Sequence, residues 1–174
     1  MYNEQSLLDE LKVLGVSYEY YSHEPLFTVE QANALTINIK GSHCKNLFVK
    51  NSKGDKWILT MPGSERADLK SIAEKLVSSR LSFCSADEMQ SDIGVTPGAV
   101  TPLAIVNNSE KNVKLVVDKK LADNGIINCH PLINTATISI AFSDLVKFVE
   151  HTGHGITVLE LCATNLNVQA FLNA

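Results

Sequence analysis

Gly41-Ser42-His43-Cys44-Lys45-Asn46-Leu47-Phe48-Val49-Lys50-Asn51-Ser52-Lys53-Gly54-Asp55-Lys56-Trp57-Ile58-Leu59-Thr60 decides how this 174-residue chain is read. Leu47 to Val49 and Trp57 to Thr60 are extended apolar runs. The intervening Ser52, Lys53, Gly54 and Asp55 supply turn chemistry, so the two runs are predicted to pair as a hairpin.

Outward from the hairpin, helices and strands are interspersed. Towards the N-terminus, Leu7, Leu8, Leu11 and Leu14 recur at helical spacing between a cap at Asn3 and a stop at Gly15. Val16 to Tyr21 reads as a strand, Ser22 to Phe27 as a loop, and Thr28 with Gln31 as a capping box opening a second short helix. Towards the C-terminus, Leu69, Ile72, Ala73 and Leu76 share a helical face, with Asp68 early and Lys75 and Arg80 late, as the helix dipole favours. A short strand, Leu81 to Cys84, follows. Ser85 and Glu88 form a capping box for a helix ending near Gly94, and residues 94–102 are too rich in Gly and Pro to be helical.

Strands are then predicted at Leu103 to Val106, Val113 to Val117, Ile126 to Cys129 and Thr137 to Phe142. Ser143 is placed as the cap of a helix, Asp144 to His151, that Gly153 ends, and Ile156 to Leu161 as a last strand. The fold class expected is mixed α/β (α+β): a curved, largely antiparallel sheet with surrounding helices, forming a single domain over residues 1–174 with 162–174 as a C-terminal extension.

Composition narrows the function classes. With 45% hydrophobic and 20% charged residues, whole-chain disorder, collagen and coiled coil are excluded. The longest apolar runs fall far short of the roughly 18 residues that span a bilayer. The acidic, polar segment after Met1 lacks the features of a secretory signal, so a cytoplasmic location and no membrane partner are expected. The four cysteines contain no Cys-x-x-Cys pair, which favours reduced thiols over a redox motif or zinc ribbon.

The net charge of −4 conceals an asymmetry: residues 1–36 carry −5, residues 37–80 carry +5 and residues 81–174 carry −4. A basic middle third in an acidic protein suggests a local phosphate-facing surface rather than indiscriminate binding of nucleic acid, and DNA is not expected as a partner. The plainer alternative is that Lys50, Lys53 and Lys56 only solubilise the hairpin.

No Gly-x-Ser-x-Gly elbow, P-loop, dinucleotide fingerprint or His-Glu-x-x-His occurs. Three polar, turn-like places beside strands remain: Gly41 to Asn46, the 94–102 loop, and Cys129 to Thr137. Lys45 at a strand mouth suits an anion or developing oxyanion, or is simply an exposed lysine. Asn46 can donate and accept, which fits a ribose hydroxyl or carbonyl, or a turn bonding its own backbone. Gly98 lets backbone N–H groups approach a ligand closely, or is ordinary loop geometry. His130, before Pro131, is either functional or a satisfied structural histidine. His43-Cys44 and Cys129-His130 could supply zinc ligands, but adjacent strand residues point to opposite faces, which argues against a metal. His151-x-x-His154 at a helix end has a structural reading.

In order along the chain, Gly41-Ser42-His43-x-Lys45-Asn46-Leu47-Phe48, Trp57-x-Leu59, Arg66-Ala67-Asp68-Leu69-Lys70, Gly94-Val95-Thr96-Pro97-Gly98-x-Val100-Thr101-Pro102 and His130-Pro131-Leu132-x-Asn134-Thr135-Ala136-Thr137 resemble the family of aminoacyl-tRNA editing domains typified by YbaK and the prolyl-tRNA synthetase insertion domain. Within it the chain looks most like free-standing deacylases that clear alanine from mischarged tRNA(Pro). The resemblance covers roughly residues 20 to 142 and continues to about Leu161.

It implies a metal- and cofactor-free hydrolysis of the ester joining an amino acid to the terminal adenosine of tRNA. The acylated 3′ end of tRNA would be the partner, and prolyl-tRNA synthetase a second one. It also implies that Lys45, Asn46, Gly98 and His130 carry the reaction. Phe27, Val29, Thr96, Pro97 and Cys129 are expected to bind the substrate, the apolar Phe27, Val29 and Cys129 setting the pocket's size. Cys-tRNA(Pro) hydrolysis and a non-catalytic tRNA- or synthetase-binding module are the alternatives. The family pattern favours a bulkier apolar residue than Cys129 before the His-Pro pair, so the pocket here is expected to be roomier.

Overall fold

The computed structural model of the protein describes residues 1–25, 31 and 39–162. Its elements arise from the local signals along the chain. Helix α1 (Glu4–Val13) starts at Asn3, whose side chain accepts the Ser6 N–H while the Ser6 side chain accepts the Asn3 N–H, and it buries Leu7 and Leu11. After Gly15 come strand β1 (Tyr18–Ser22) and then β2 (Ser42–Lys50) and β3 (Lys56–Pro62), the antiparallel hairpin. Its turn is organised by Asn51, whose Oδ1 accepts the N–H groups of Lys53 and Asp55 at 2.9 and 3.0 Å. The Thr28–Gln31 capping box and the short helix expected there lie outside the described residues, as does all but the first residue of the expected C-terminal extension.

Helix α2 (Leu69–Lys75) is capped by Asp68, and the two-residue strand β4 (Ser82–Phe83) is shorter than the expected Leu81 to Cys84. Helix α3 (Ala86–Ile93) carries the Ser85–Glu88 capping box and ends on Gly94 in the left-handed conformation. β5 (Val113–Asp118), β6 (Ile126–Cys129) and β7 (Ala136–Ala141) follow, then helix α5 (Phe142–His151) and β8 (Ile156–Leu159); a further helix, α4 (Lys119–Asn124), joins β5 to β6.

Three expectations need correction. Leu103 to Val106 is not a strand but part of a 3₁₀ helix, Pro102–Asn107, with Thr101 as cap and Pro102 in its first turn. Leu103, Ala104 and Ile105 are all fully buried, and a short apolar run has no periodicity by which to tell strand from buried helix. Ser143 is not the cap of α5; the helix starts two residues earlier, at Phe142 after the cap Ala141, with no side-chain cap bond. Helix α4 was not anticipated, although Asp118 before it and Gly125 after it are the appropriate terminal residues.

Among the described residues the sheet has eight strands in the order β1-β7-β6-β2-β3-β5-β8, with β4 also pairing β2. The expected antiparallel character holds for β1–β7, β7–β6, β2–β3 and β2–β4, but β2–β6, β3–β5 and β5–β8 are parallel, so the sheet is mixed. One face packs on α1, α3, the 3₁₀ helix and α5 through Leu7, Leu11, Phe48, Ile58, Ile93, Leu103 and Phe148. Over the hairpin half, the other face is covered by α2 through Val49, Trp57, Leu59, Met61 and Ile72.

β2 is the hinge of this arrangement. β3 runs along one edge from Cys44 to Lys50. The other edge is shared, with β6 taking Ser42 and His43 and β4 taking Val49 and Lys50. Between them residues 44–47 have no ladder partner on that edge among the described residues, so the sheet splits there.

Part of the basic middle third is neutralised locally. Lys50 bonds Glu88 at 2.8 Å, and Lys56 lies 2.5 Å from Asp92 and 3.4 Å from Glu88. The lysine ammonium groups, Lys50 first, hold the Glu88 carboxyl down to about 2, with the Ser85 N–H adding to the effect. At the far side of the sheet the buried Asp118 accepts the N–H groups of Leu161 and Cys162 through Oδ2, at 2.8 and 3.0 Å, and that of Lys120 through Oδ1 at 2.8 Å. Asp118→Ala strips three donors of their acceptor. It is expected to lower stability by about 3 kcal/mol in urea titration, a loss smaller than about 1 kcal/mol contradicting the clamp.

Candidate active site at the split strand

Lys45 and Asn46 are consecutive in β2 and therefore face opposite sides of the sheet. Lys45 lies in register with Met61, on the face that carries Leu47, Leu59 and Trp57. Its ammonium donates to the carbonyl of Glu65, in the loop after β3. Asn46 lies opposite Thr60, whose hydroxyl donates to Asn46 Oδ1 at 2.8 Å, leaving the amide NH₂ out of that bond. Cys44, Asn46 and Phe48 thus point to the side on which α3 and the 94–102 loop pack.

That loop is a rigid support with an exposed tip. Val95, Ala99 and Val100 are buried in the main core, whereas Thr96, Pro97 and Gly98 are exposed. The Ala99 N–H donates to the Thr96 carbonyl at 3.0 Å, closing a turn with Pro97 and Gly98 at its centre. Gly98 has φ +90°, the positive value that the third position of a type II turn requires. Any other residue would strain this turn, and the glycine keeps the tip's N–H groups unobstructed.

His130 follows β6 directly. β6 runs parallel to β2 with Ser42 against Ile127 and His43 against Asn128; the ladder ends there, and the Cys44 thiol still reaches β6 by donating to the Asn128 carbonyl at 2.8 Å. The structure thus places His130 just past the end of β6, beside the split, and sets Lys45 on the face of β2 opposite to that of Asn46 and the Gly98 turn.

The His130 ring is held by specific bonds. Nδ1 donates to the Ala136 carbonyl at 2.8 Å, which fixes the Nδ1–H tautomer and leaves Nε2 as the acceptor. The ring stands 6.1 Å from that of His23, tilted by 57°. His23 Nδ1 donates to the Glu24 carbonyl at 2.8 Å, so its Nε2 accepts the Thr137 hydroxyl at 2.9 Å. Leu132, in the connection that follows His130, has φ +68°, an uncommon conformation for a residue with a side chain. His23 does not stand out in the sequence; its only signal there is the polar loop after the first strand.

Among the substrate-binding candidates, Thr96 and Pro97 sit at the exposed turn, and Cys129 is buried against the core beside Cys44. Phe27 and Val29 lie outside the described residues. His43 is paired with Asn128 across the strands, and His151 forms a 2.7 Å ion-pair contact with Glu10, in keeping with its structural reading. Among the described residues no group of three or more His, Cys, Asp or Glu side chains is arranged to hold a metal ion.

Burial pushes the His130 imidazole below its ordinary value; the bond to Ala136 opposes this, and the neighbouring His23 adds to it. At neutral pH it is the uncharged acceptor. NMR titration is expected to give His130 a midpoint below about 6.5, the unperturbed value. Because the folded value lies below the unfolded one, its contribution to stability is complete above about 6.5 and is lost as pH falls from there through the folded value. A midpoint at or above the unperturbed value would mean the ring is not desolvated.

The aminoacyl-tRNA editing domain model matches residues 23–148, a span that contains β2, the 94–102 turn and His130. The prolyl-tRNA editing protein ProX of Acetoanaerobium sticklandii is 31% identical over 159 residues, covering 91% of this chain and 97% of its own. The prolyl-tRNA synthetase associated domain-containing protein 1 of Bos taurus is also 31% identical over 159 residues, 88% of this chain and 92% of its own. A crystal structure described as a candidate trans-editing enzyme for prolyl tRNA synthetase superposes with a TM-score of 0.69 over 94% of this chain and 99% of that one, at 18% identity, which supports the fold. With the ordered motifs on one split sheet and the family match spanning most of the chain, this protein belongs to the aminoacyl-tRNA editing domain family.

Proposed function

We propose that the protein is a trans-editing deacylase that hydrolyses the ester of mischarged tRNA(Pro), with alanine as the amino acid removed. The observation that carries this reading is the break in the β2 edge, with Lys45 and Asn46 inside it, His130 directly after β6, and the Gly98 turn anchored on the Asn46 face. The names of the relatives, prolyl-tRNA editing and prolyl-tRNA synthetase associated proteins, support the same substrate class. Cytoplasmic work on freshly charged tRNA belongs to this proposal.

Each group has a physical task. An ordinary lysine is protonated at neutral pH, so Lys45 acts as a cationic anchor for the terminal adenosine phosphate rather than as a base. Asn46 recognises the ribose or the ester carbonyl through the amide NH₂ that Thr60 leaves unused. Water attacks the ester carbonyl with a ribose hydroxyl of the substrate assisting proton transfer, and N–H groups at the Gly98 turn stabilise the developing oxyanion. His130, neutral with Nε2 free to accept, orients the amino-acid end of the substrate.

The need for such a site is thermodynamic. A synthetase pocket shaped for proline discriminates weakly against alanine, since each missing methylene is worth only about 1 to 3 kcal/mol. A second pocket that admits alanine and rejects the proline ring sterically restores accuracy.

Single-turnover deacylation of Ala-tRNA(Pro), Cys-tRNA(Pro) and Pro-tRNA(Pro) tests the reading. Alanine is expected to be released fastest and proline no faster than it falls off spontaneously. Binding with steep salt dependence but no hydrolysis would instead make the protein a non-catalytic tRNA module. Lys45→Ala is expected to lower the rate at least about tenfold, equivalent to about 1.4 kcal/mol of lost transition-state binding, with an unchanged melting curve. Near-native turnover would displace the site.

A further inference from the structure

Two of the free cysteines stand where the sheet divides. Cys44 is the β2 residue that follows the paired Ser42 and His43, and Cys129 is the last residue of β6, following Ile127 and Asn128. Continuing the parallel register makes them direct neighbours. The side chains lie the same way: the Cys44 thiol donates to the carbonyl of Asn128, the residue before Cys129, at 2.8 Å. Neighbouring strands lie about 4.8 Å apart, within the window of about 4.4 to 6.8 Å that a disulfide spans between α-carbons and towards its short end.

The other two cysteines are placed differently. Cys84 is buried in the core on the helical side, and Cys162 in the cluster under α2. Burial pushes each of their thiols up to about 11.

We propose that Cys44 and Cys129 form an oxidation site, closed to a disulfide by a peroxide, and that the bridge draws β2 and β6 together at the mouth of the active site. The consequence for catalysis rests on the deacylase reading; the bridge itself does not. Cys44 is half-buried and Cys129 is 1% exposed, so attack begins at Cys44. The Cys44 sulfur forms an S–O bond as the peroxide O–O bond breaks; the thiol proton leaves with the departing oxygen as water. The product is a sulfenic acid. The Cys129 sulfur then attacks the Cys44 sulfur, the S–O bond breaks, and a second water carries off the Cys129 proton. Two thiols lose two electrons and hydrogen peroxide becomes two waters.

Lys45 follows Cys44 in β2 and His130 follows Cys129 at the end of β6, so a bond between their predecessors changes their spacing. Cys129 is almost wholly buried, so it is reached only through Cys44 and serves as the resolving thiol.

The test treats the reduced full-length protein with hydrogen peroxide. Intact mass is expected to fall by two hydrogens and peptide mapping to join Cys44 to Cys129. Added oxygen without a cross-link, or a bridge involving Cys84 or Cys162, overturns the proposal. On oxidation the His130 ring signals in NMR are expected to move and to return with dithiothreitol; unmoved signals overturn the link to the site. Ala-tRNA(Pro) deacylation is expected to drop about tenfold or more on oxidation, the scale on which small misplacements act. Cys44→Ser is expected to keep the reduced-state rate and to lose peroxide sensitivity. An oxidised wild type that retains the full rate overturns closure. A reduced protein with no activity at all defeats the deacylase reading alone, since the cross-link and the shift of the His130 signals are measured without tRNA.

Discussion

The structure depends on how β2 satisfies its backbone. Buried N–H and C=O groups need partners, and β3 supplies them along one edge of the strand from Cys44 to Lys50. That pairing allows the second edge to be divided between β6 and β4 without loss of the strand. The interval at residues 44–47 is polar main chain in the middle of a sheet, with Lys45 and Asn46 projecting from it on opposite sides. The strand is held at both ends of that interval, by β6 and by β4, so the opening keeps its place in the sheet.

Electrostatics follow the same division. The basic middle third does not form one positive field, since Glu88 and Asp92 answer Lys50 and Lys56 at the hairpin end. At the other end the Lys45 ammonium meets the Glu65 carbonyl, and the His130 imidazole is kept uncharged by burial. The local charge at the split is therefore an ammonium beside neutral acceptors.

Much of the fold was legible because its signals are local. The hairpin, the caps at Asn3 and Ser85, and the stop at Gly94 all depend on residues within a turn or two of each other. The parallel wing of β3, β5 and β8 was not legible, since strand order is decided by packing between segments far apart in sequence. Leu103 to Val106 failed for a related reason: burial on every side erases periodicity. Around the candidate site, Lys45, Asn46, Gly98 and His130 stand out through motifs, whereas His23, beside His130 in the structure, does not. Its partner Thr137 is 114 residues away, and nothing near position 23 announces that contact.

The Thr96–Ala99 turn sets main chain at an exposed tip, and its buried neighbours Val95, Ala99 and Val100 anchor it. Shape written in the backbone leaves little trace in the alphabet. Surveys that replace one letter at a time would read such a turn mainly through its glycine, whose positive φ a side chain accommodates poorly.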